Sequence, residues 1–286
     1  MIDLHLHTYY SDGEQSPRDL VLTAAQQGIT IMAITDHDGT GGILEGIQAG
    51  MEVGIQVIPG IEFSTEDPCG AHMHLLGYGI ELQEPGLQQG IVKIRRAREE
   101  RNEKIMEALE QMGYPISYDD LGVFPGSEYI GKPVFARAMV AKGYIERPLD
   151  AFQDGRLLRS EEIRRIQKEK ITVEEAIHLV RHAGGIPVLA HPLKIGWLGS
   201  RDTTTLEQRL EKLIVLLNTL ISYGLGGMEC YYSKHSEEET EALVALAKRK
   251  GMLISAGSDY HGPGFRPSLP GVADHPEENV SHNLKK

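Results

Sequence analysis

The sequence predicts an α/β fold with a mainly parallel sheet, of barrel size, carrying a helical insertion. Three observations predict it. Strand-like and helix-like segments alternate at both ends of the chain. The middle, from about 85 to 172, turns helical in pattern and highly charged. The length, 286 residues, exceeds the commonest single-domain size and suits one large domain or a domain with an insertion.

The elements follow in order. Ile2 to Leu6 is a short strand ending among His5 and His7. Ser16 is the N-cap and Pro17 the first residue of a helix that stops at Gly28. Ile29 to Thr35 is a strand ending at Asp36-His37-Asp38, and a helix follows from about Thr40 to Gly50. Gln56 to Ile61 is a third strand ending at Glu62. Met73 to Tyr78 is a fourth, bearing His74. Lys93 to Met112 has an apolar stripe through Ile94, Ala97, Ile105, Ala108, Leu109 and Met112, so it reads as an amphipathic helix with a solvated charged face. Thr172 with Glu175, and Ser236 with Glu239, have capping-box spacing and open two later helices. Between and after them lie the strand Ile186 to Ala190, the helix Leu206 to Tyr223, and the strands Gly227 to Tyr232 and Leu253 to Ala256. This divides the chain into a barrel (1–88 and 172–275), an insertion (89–171) and a polar tail (276–286).

Composition narrows the function. Hydrophobic residues make up 41% and charged residues 24%, ordinary globular usage. Lys plus Arg is 29 against 41 Asp plus Glu, a formal charge of −12. Such a surface repels phosphate backbones, which argues against gripping duplex DNA but not against a local phosphate pocket. Cys69 and Cys230 are too few for a disulfide framework and read as free thiols of a reducing compartment. The start, Met1-Ile2-Asp3-Leu4-His5, has no leader pattern. No window reaches the ~18 apolar residues of a membrane span. The expectation is a soluble cytoplasmic protein with no membrane partner.

The 12 histidines carry the chemistry. His5, His7, His37, Glu62, His74, His191, Asp259 and His261 each fall at the end of a predicted strand, and Asp12 follows the first strand closely. In an α/β barrel the strand ends converge on one face, which holds the site. His5-x-His7 and Asp259-x-His261 place two side chains on one side of the chain. His72 shares a face with His74, so spacing alone does not separate them. These donors are imidazole nitrogen and carboxylate oxygen without thiolate, which suits Mn²⁺, Fe²⁺ or Zn²⁺. Nine donors exceed the needs of one ion, so two or three ions are expected, sharing carboxylates and lowering the pKa of a bridging water. His235 falls near the same mouth as a proton donor or substrate contact. His178, His182, His275 and His282 read as solvated.

The motifs Asp3-Leu-His5-Leu-His7-Thr8, Ser11-Asp12-Gly13, Ile34-Thr35-Asp36-His37-Asp38, Gly60-Ile61-Glu62-Phe63-Ser64, His74-Leu-Leu-Gly77-Tyr78, Ala190-His191-Pro192 and Gly257-Ser258-Asp259-Tyr260-His261-Gly262 occur in this order. Together they resemble the PHP (polymerase and histidinol phosphatase) metal-dependent phosphoesterases from Ile2 to about Gly271. Gly131-Lys132-Pro133-x-Phe135-Ala136-Arg137 and Gly227-x-Glu229-x-Tyr231-Tyr232 are similar to a stand-alone subgroup. That subgroup contains nucleoside 3′,5′-bisphosphate phosphatases and a 5′-to-3′ RNA-trimming exonuclease. The resemblance implies a distorted seven-stranded barrel with a helical insertion. It implies three metals, often manganese, held by His5, His7, Asp12, His37, Glu62, His74, His191, Asp259 and His261. It favours His74 over His72, and it makes Asp36 the partner orienting a ligand imidazole. The chain departs from the family over 157–171, where the resemblance implies a Pro-aromatic-Val stretch preceded by a basic residue, and a Lys that grips the substrate's distal phosphate; here Lys168 and Lys170 are the candidates for that Lys.

The resulting expectation is hydrolysis of a phosphomonoester on a small nucleotide, the 3′-phosphate of a nucleoside 3′,5′-bisphosphate, by a metal-bridging hydroxide. His235 or a metal water would protonate the leaving oxygen. Lys132 and Arg137, then Arg201, would hold the second phosphate. The alternatives are a 5′-to-3′ exonuclease on short single-stranded RNA, a histidinol phosphate phosphatase, and a non-catalytic metal-binding module.

Overall fold

The structure, a computed structural model, describes residues 1–67, 70–122, 129–166 and 170–264. Cys69, Lys168, His275, His282 and the expected polar tail lie outside the described residues. The elements are β1 (Ile2–Leu6), α1 (Pro17–Gln26), β2 (Ile31–Ile34), α2 (Ile43–Val53), β3 (Gln56–Glu66), β4 (His72–Tyr78), α3 (Pro85–Gln111), α4 (Lys132–Ala141), α5 (Glu161–Arg165), β5 (Ile171–Thr172), α6 (Val173–His182), β6 (Ile186–Leu189), α7 (Leu206–Tyr223), β7 (Gly227–Tyr232), α8 (Glu237–Lys250) and β8 (Leu253–Gly257). Local chemistry sets the helix starts. Ser16 accepts the Asp19 N–H at 2.9 Å, and both predicted capping boxes are present at Thr172/Glu175 and Ser236/Glu239. Such caps are worth about 1 kcal/mol each.

The strands form one sheet in the order β1-β2-β3-β4-β6-β7-β8, with β5 attached to β3. All neighbours run parallel except β4, which is antiparallel to both β3 and β6. The sheet curls into a nearly closed barrel. Asp259 N donates to His5 O at 2.9 Å, and His7 N donates to Tyr260 O at 3.0 Å, joining the end of β8 to β1. The antiparallel β4 is the distortion in an otherwise parallel βα barrel. It corrects two expectations. Glu62 is the seventh residue of an 11-residue strand rather than its end, because β3 runs on past the rim to form a hairpin with β4. His74 lies near the start of its strand, and the reversed direction of β4 brings that start to the mouth.

Apolar side chains fill the barrel interior and the layer beneath the helices, with Ile2, Leu4, Ala33, Leu76 and Val188 in one cluster. The insertion has a core of its own, built on Ile105, Leu109, Phe135, Met139, Leu158 and Ile163. One helix serves both. The first half of α3 packs Leu87, Ile91 and Ile94 against the barrel, and its second half packs into the insertion. The expected division at residue 88 therefore falls within a continuous helix. The charge run also differs from expectation. Arg95–Glu99 and Arg96–Glu100 are solvated pairs, but Arg98 and Asn102 are buried.

Closure leaves no room on β8 for a side chain at Gly257. A Cβ there would lie 2.2 Å from His5 Cβ and 2.6 Å from Glu229 Oε1. Gly257→Ala is expected to cost about 1–3 kcal/mol through overpacking. Urea denaturation measures it; an unchanged midpoint would contradict this account of how the barrel closes.

Candidate metal centre

One mouth of the barrel gathers all nine expected donors. Glu62 sits at the middle, fully buried. Its Oε1 lies 3.2 Å from His5 Nε2, 2.9 Å from His74 Nδ1 and 3.2 Å from His191 Nε2. Its Oε2 lies 3.3 Å from His7 Nε2 and 2.9 Å from His37 Nδ1. Asp259 Oδ1 lies 3.6 Å from His5 and 3.5 Å from His7. Asp12 faces His261 at 3.3 Å and both His37 and His7 at 3.9 Å.

Three overlapping groups result: His7, Asp12, His37 and His261; His5, His7, Glu62 and Asp259; and His37, Glu62 and His74. Within each, the donor atoms lie within 4.8 Å of one another. His191 joins through Glu62. His72 stands apart, exposed, with Lys170 beside it.

Electrostatics show what such a nest needs. Burial raises the Glu62 pKa, but the His74, His37 and His5 rings outweigh it and hold the carboxyl well below its usual range. Burial lowers His5, and the Glu229 and Glu62 carboxylates outweigh that to hold it well above the ordinary imidazole value. His7 and His37 are raised in the same sense. His191 differs, because burial brings it down to about 3 despite Glu62. The carboxylates thus draw protons onto rings where divalent ions would otherwise sit. Five buried atoms, His5 Nε2, His7 Nε2, Asp12 Oδ1, His37 Nδ1 and Glu62 Oε2, make no hydrogen bond among the described residues. Leaving such atoms unpaired costs about 1–3 kcal/mol each. A nitrogen-and-oxygen donor set with these open valences fits a cluster of divalent cations.

The surroundings brace the donors, and several of these residues, Glu229 and Tyr232 among them, had no role assigned from sequence. Glu229 accepts from His5 Nδ1 at 2.9 Å and from the His191 N–H at 2.7 Å. It is buried in an otherwise apolar β7, and a lone acid in such a run is the signal that could have found it. Asp36 corrects its expected role. It accepts from Thr8 N, Thr8 Oγ1 and Ser11 Oγ, and it reaches an imidazole through Ser11, 3.5 Å from His7 Nδ1. Tyr232 donates to Asp259 Oδ2 at 2.9 Å. Asp38, His191 and Asp259 have φ of 53°, 25° and 57°. Left-handed backbone at non-glycine residues concentrates where surrounding structure enforces it. From the insertion, buried Arg98 pairs with Asp38 and lies 3.8 Å from the centre of the Tyr129 ring. Tyr129 in turn stacks on His37 at 5.2 Å. Arg98 occupies the core-facing stripe of α3 with Ile94 and Ile105, which is its sequence signal.

The other predicted residues lie outside the nest. His235 Nδ1 donates to Cys230 O at 3.0 Å. A carbonyl only accepts, so Nε2 carries no proton, and burial lowers the ring pKa. A neutral ring with a bare Nε2 is not the proton donor expected. Lys132 is turned onto Leu158 O at 3.3 Å. Arg137 is exposed on α4. Arg201 is bound to Glu239. Lys170 lies 3.5 Å from Glu66.

Glu229→Ala would strand the His5 Nδ1 proton and the His191 N–H in the interior. Losing such an outer partner typically weakens metal affinity about 10–100-fold. Calorimetric titration with Mn²⁺ measures it, and wild-type affinity in the variant would contradict the bracing role.

The comparisons with known proteins agree with this geometry. Residues 3–120 match the PHP domain model. The chain is 32% identical over 261 residues to a 5′-3′ exoribonuclease of Haemophilus influenzae, covering 91% of this chain and 90% of that one. It is 32% identical over 265 residues to a 3′,5′-nucleoside bisphosphate phosphatase of Chromobacterium violaceum, covering 92% and 88%. A solved structure from Bifidobacterium adolescentis, assigned as a metal-dependent phosphoesterase, superposes with a TM-score of 0.80 at 31% identity, covering 99% of this chain and 93% of that one. The barrel with its reversed strand, the ordered motifs and these full-length relatives agree: the chain belongs to the PHP family of metal-dependent phosphoesterases.

Proposed function

We propose that this phosphoesterase removes the 3′-phosphate of a nucleoside 3′,5′-bisphosphate, using two or three divalent ions, Mn²⁺ foremost, held by the nine donors around Glu62. The observation that carries the reading is a single buried carboxylate touching five imidazoles. Bound divalent ions would supply an activated water and neutralise the charge on the phosphoryl oxygens. The chain's own residues do the rest. Glu62 offers Oε1 to His5, His74 and His191 and Oε2 to His7 and His37, so it would help to hold divalent ions with both oxygens. His191, kept unprotonated by burial, presents a lone pair at neutral pH. Tyr232 and Lys194 hold the outer oxygen of Asp259 at 2.9 and 3.2 Å, so its inner oxygen faces His5 and His7. Glu229 holds His5 in one tautomer, with Nδ1–H outward and Nε2 toward Glu62. Chelator-treated and Mn²⁺-supplied protein are compared in a phosphate-release panel. The panel contains adenosine 3′,5′-bisphosphate, a 5′-phosphorylated pentanucleotide and histidinol phosphate. Manganese-dependent release fastest from the bisphosphate is expected; faster turnover of the pentanucleotide would move the reading to the exonuclease.

A pH dependence follows from the shifts. His5, His7 and His37 hold protons to higher pH than ordinary imidazoles. Ions must displace those protons, so affinity should fall as pH falls, by about tenfold per pH unit for each proton displaced. Calorimetry in buffers of different ionisation enthalpy reads the released protons. Binding without proton release would contradict the assignment of these rings as ligands.

Glu62→Gln removes the negative charge that the rings share. It is expected to lower manganese-dependent turnover at least about 100-fold, the upper range for lost support at a metal site. Activity within threefold of wild type at saturating Mn²⁺ would refute a central role for Glu62.

A further inference from the structure

Asp12 and His261 belong to the donor group of His7, Asp12, His37 and His261, and to neither of the other two groups. They arrive on separate segments, the turn after β1 and the loop after β8. One residue joins the two segments. Glu14 N donates to His261 O at 2.8 Å, and Glu14 Oε2 accepts the Gly264 N–H at 2.8 Å. We propose that Glu14 is a positioning residue for the cation of this one group; the inference rests on the metal reading above.

The two bonds grip the loop on either side of Gly262 and Pro263. Gly262 has φ of 122°, a conformation open to glycine. A Cβ there would lie 2.7 Å from Glu14 Cβ, and one at Gly264 would lie 2.5 Å from Glu14 Oε1. The loop therefore lies flat against the Glu14 side chain. The other side of the clip is equally close. Gly13 N donates to Thr8 O at 2.9 Å, and a Cβ at Gly13 would lie 2.5 Å from His7 O. Glu14 thus leaves a turn that is packed on the backbone of His7 and carries Asp12.

The clip sets the His261 ring. Its Nδ1 donates to Asp259 O at 2.9 Å. A carbonyl only accepts, so in the neutral ring Nδ1 carries the proton and Nε2 turns its lone pair toward Asp12 Oδ1, 3.3 Å away. The ring also stacks on His7, with centroids 4.1 Å apart. Asp259 sits on the same loop but is held independently. Its N–H donates to His5 O, and its outer oxygen is held by Tyr232 and Lys194. Loosening the loop beyond Asp259 should therefore disturb His261 and spare the group of His5, His7, Glu62 and Asp259. Glu14 itself is exposed and belongs to none of the three donor groups, so removing its carboxylate deletes no ligand and opens no interior void.

The test uses the full chain with Glu14→Ala and Glu14→Gln. Chelator-treated protein is titrated with Mn²⁺ by calorimetry, the ions retained are counted by elemental analysis, and thermal unfolding is followed without metal. Glu14→Ala is expected to weaken one class of Mn²⁺ sites about tenfold, the lower range for a lost outer partner, with the remaining sites unchanged. Glu14→Gln keeps an oxygen for the Gly264 N–H and should restore the wild-type isotherm. Wild-type binding of every ion by Glu14→Ala would overturn the positioning role and leave the metal reading intact. Uniform weakening of all sites together with a lowered unfolding temperature would also overturn it, since that is the mark of a general stability role. Absence of Mn²⁺ binding by the wild-type chain would refute the metal reading and this inference with it.

Discussion

The structure turns on one buried carboxylate. Glu62 has no exposed surface and touches five imidazoles. An isolated ionised carboxylate in a protein interior is too costly to persist. Here the rings compensate it, and they do so with atoms that also ligate metals. The arrangement that makes the anion tolerable in the fold is therefore the arrangement that collects cations. The barrel is what makes it geometrically available. Parallel strands deliver His5, His7, His37 and His191 to one rim, and the reversed β4 delivers His74 from the opposite direction.

Around this anion the chain spends structure on holding ligands still. Glu229 ties β1 to the His191 turn through two hydrogen bonds. Positive φ at Asp38, His191 and Asp259 places three left-handed residues at the mouth. Two of the three are aspartates, which adopt that conformation at lower cost than most residues. The insertion reaches the same place through Arg98 and Tyr129, so the helical lobe packs against His37 as well as upon its own core. Beyond the nest, Lys194 and Tyr232 hold the outer oxygen of Asp259.

Much of this was legible in the sequence where the physics is local. The capping boxes at Thr172/Glu175 and Ser236/Glu239 mark helix starts because cap and partner are three residues apart. Alternating elements gave the fold class, and histidines at strand ends pointed to the mouth. What escaped depends on long-range pairing. No local signal says that β4 reverses, so His74 and Glu62 were expected at C-terminal strand ends they do not occupy. Asp36 was assigned to an imidazole, but its oxygens are taken by Thr8 and Ser11, whose hydroxyls are nearer in the fold than in any motif logic. Arg98 sat in a charge run that reads as solvated until the stripe of α3 is followed one turn further.

The most direct test of the central claim is anomalous diffraction at the manganese edge from crystals soaked in Mn²⁺. The account predicts two or more peaks inside the nest, with Glu62 oxygens between neighbouring ions and the His5, His7, His37, His74, His191 and His261 rings around them. Strong manganese peaks only elsewhere on the surface, with Glu62 still enclosed by rings alone, would contradict it.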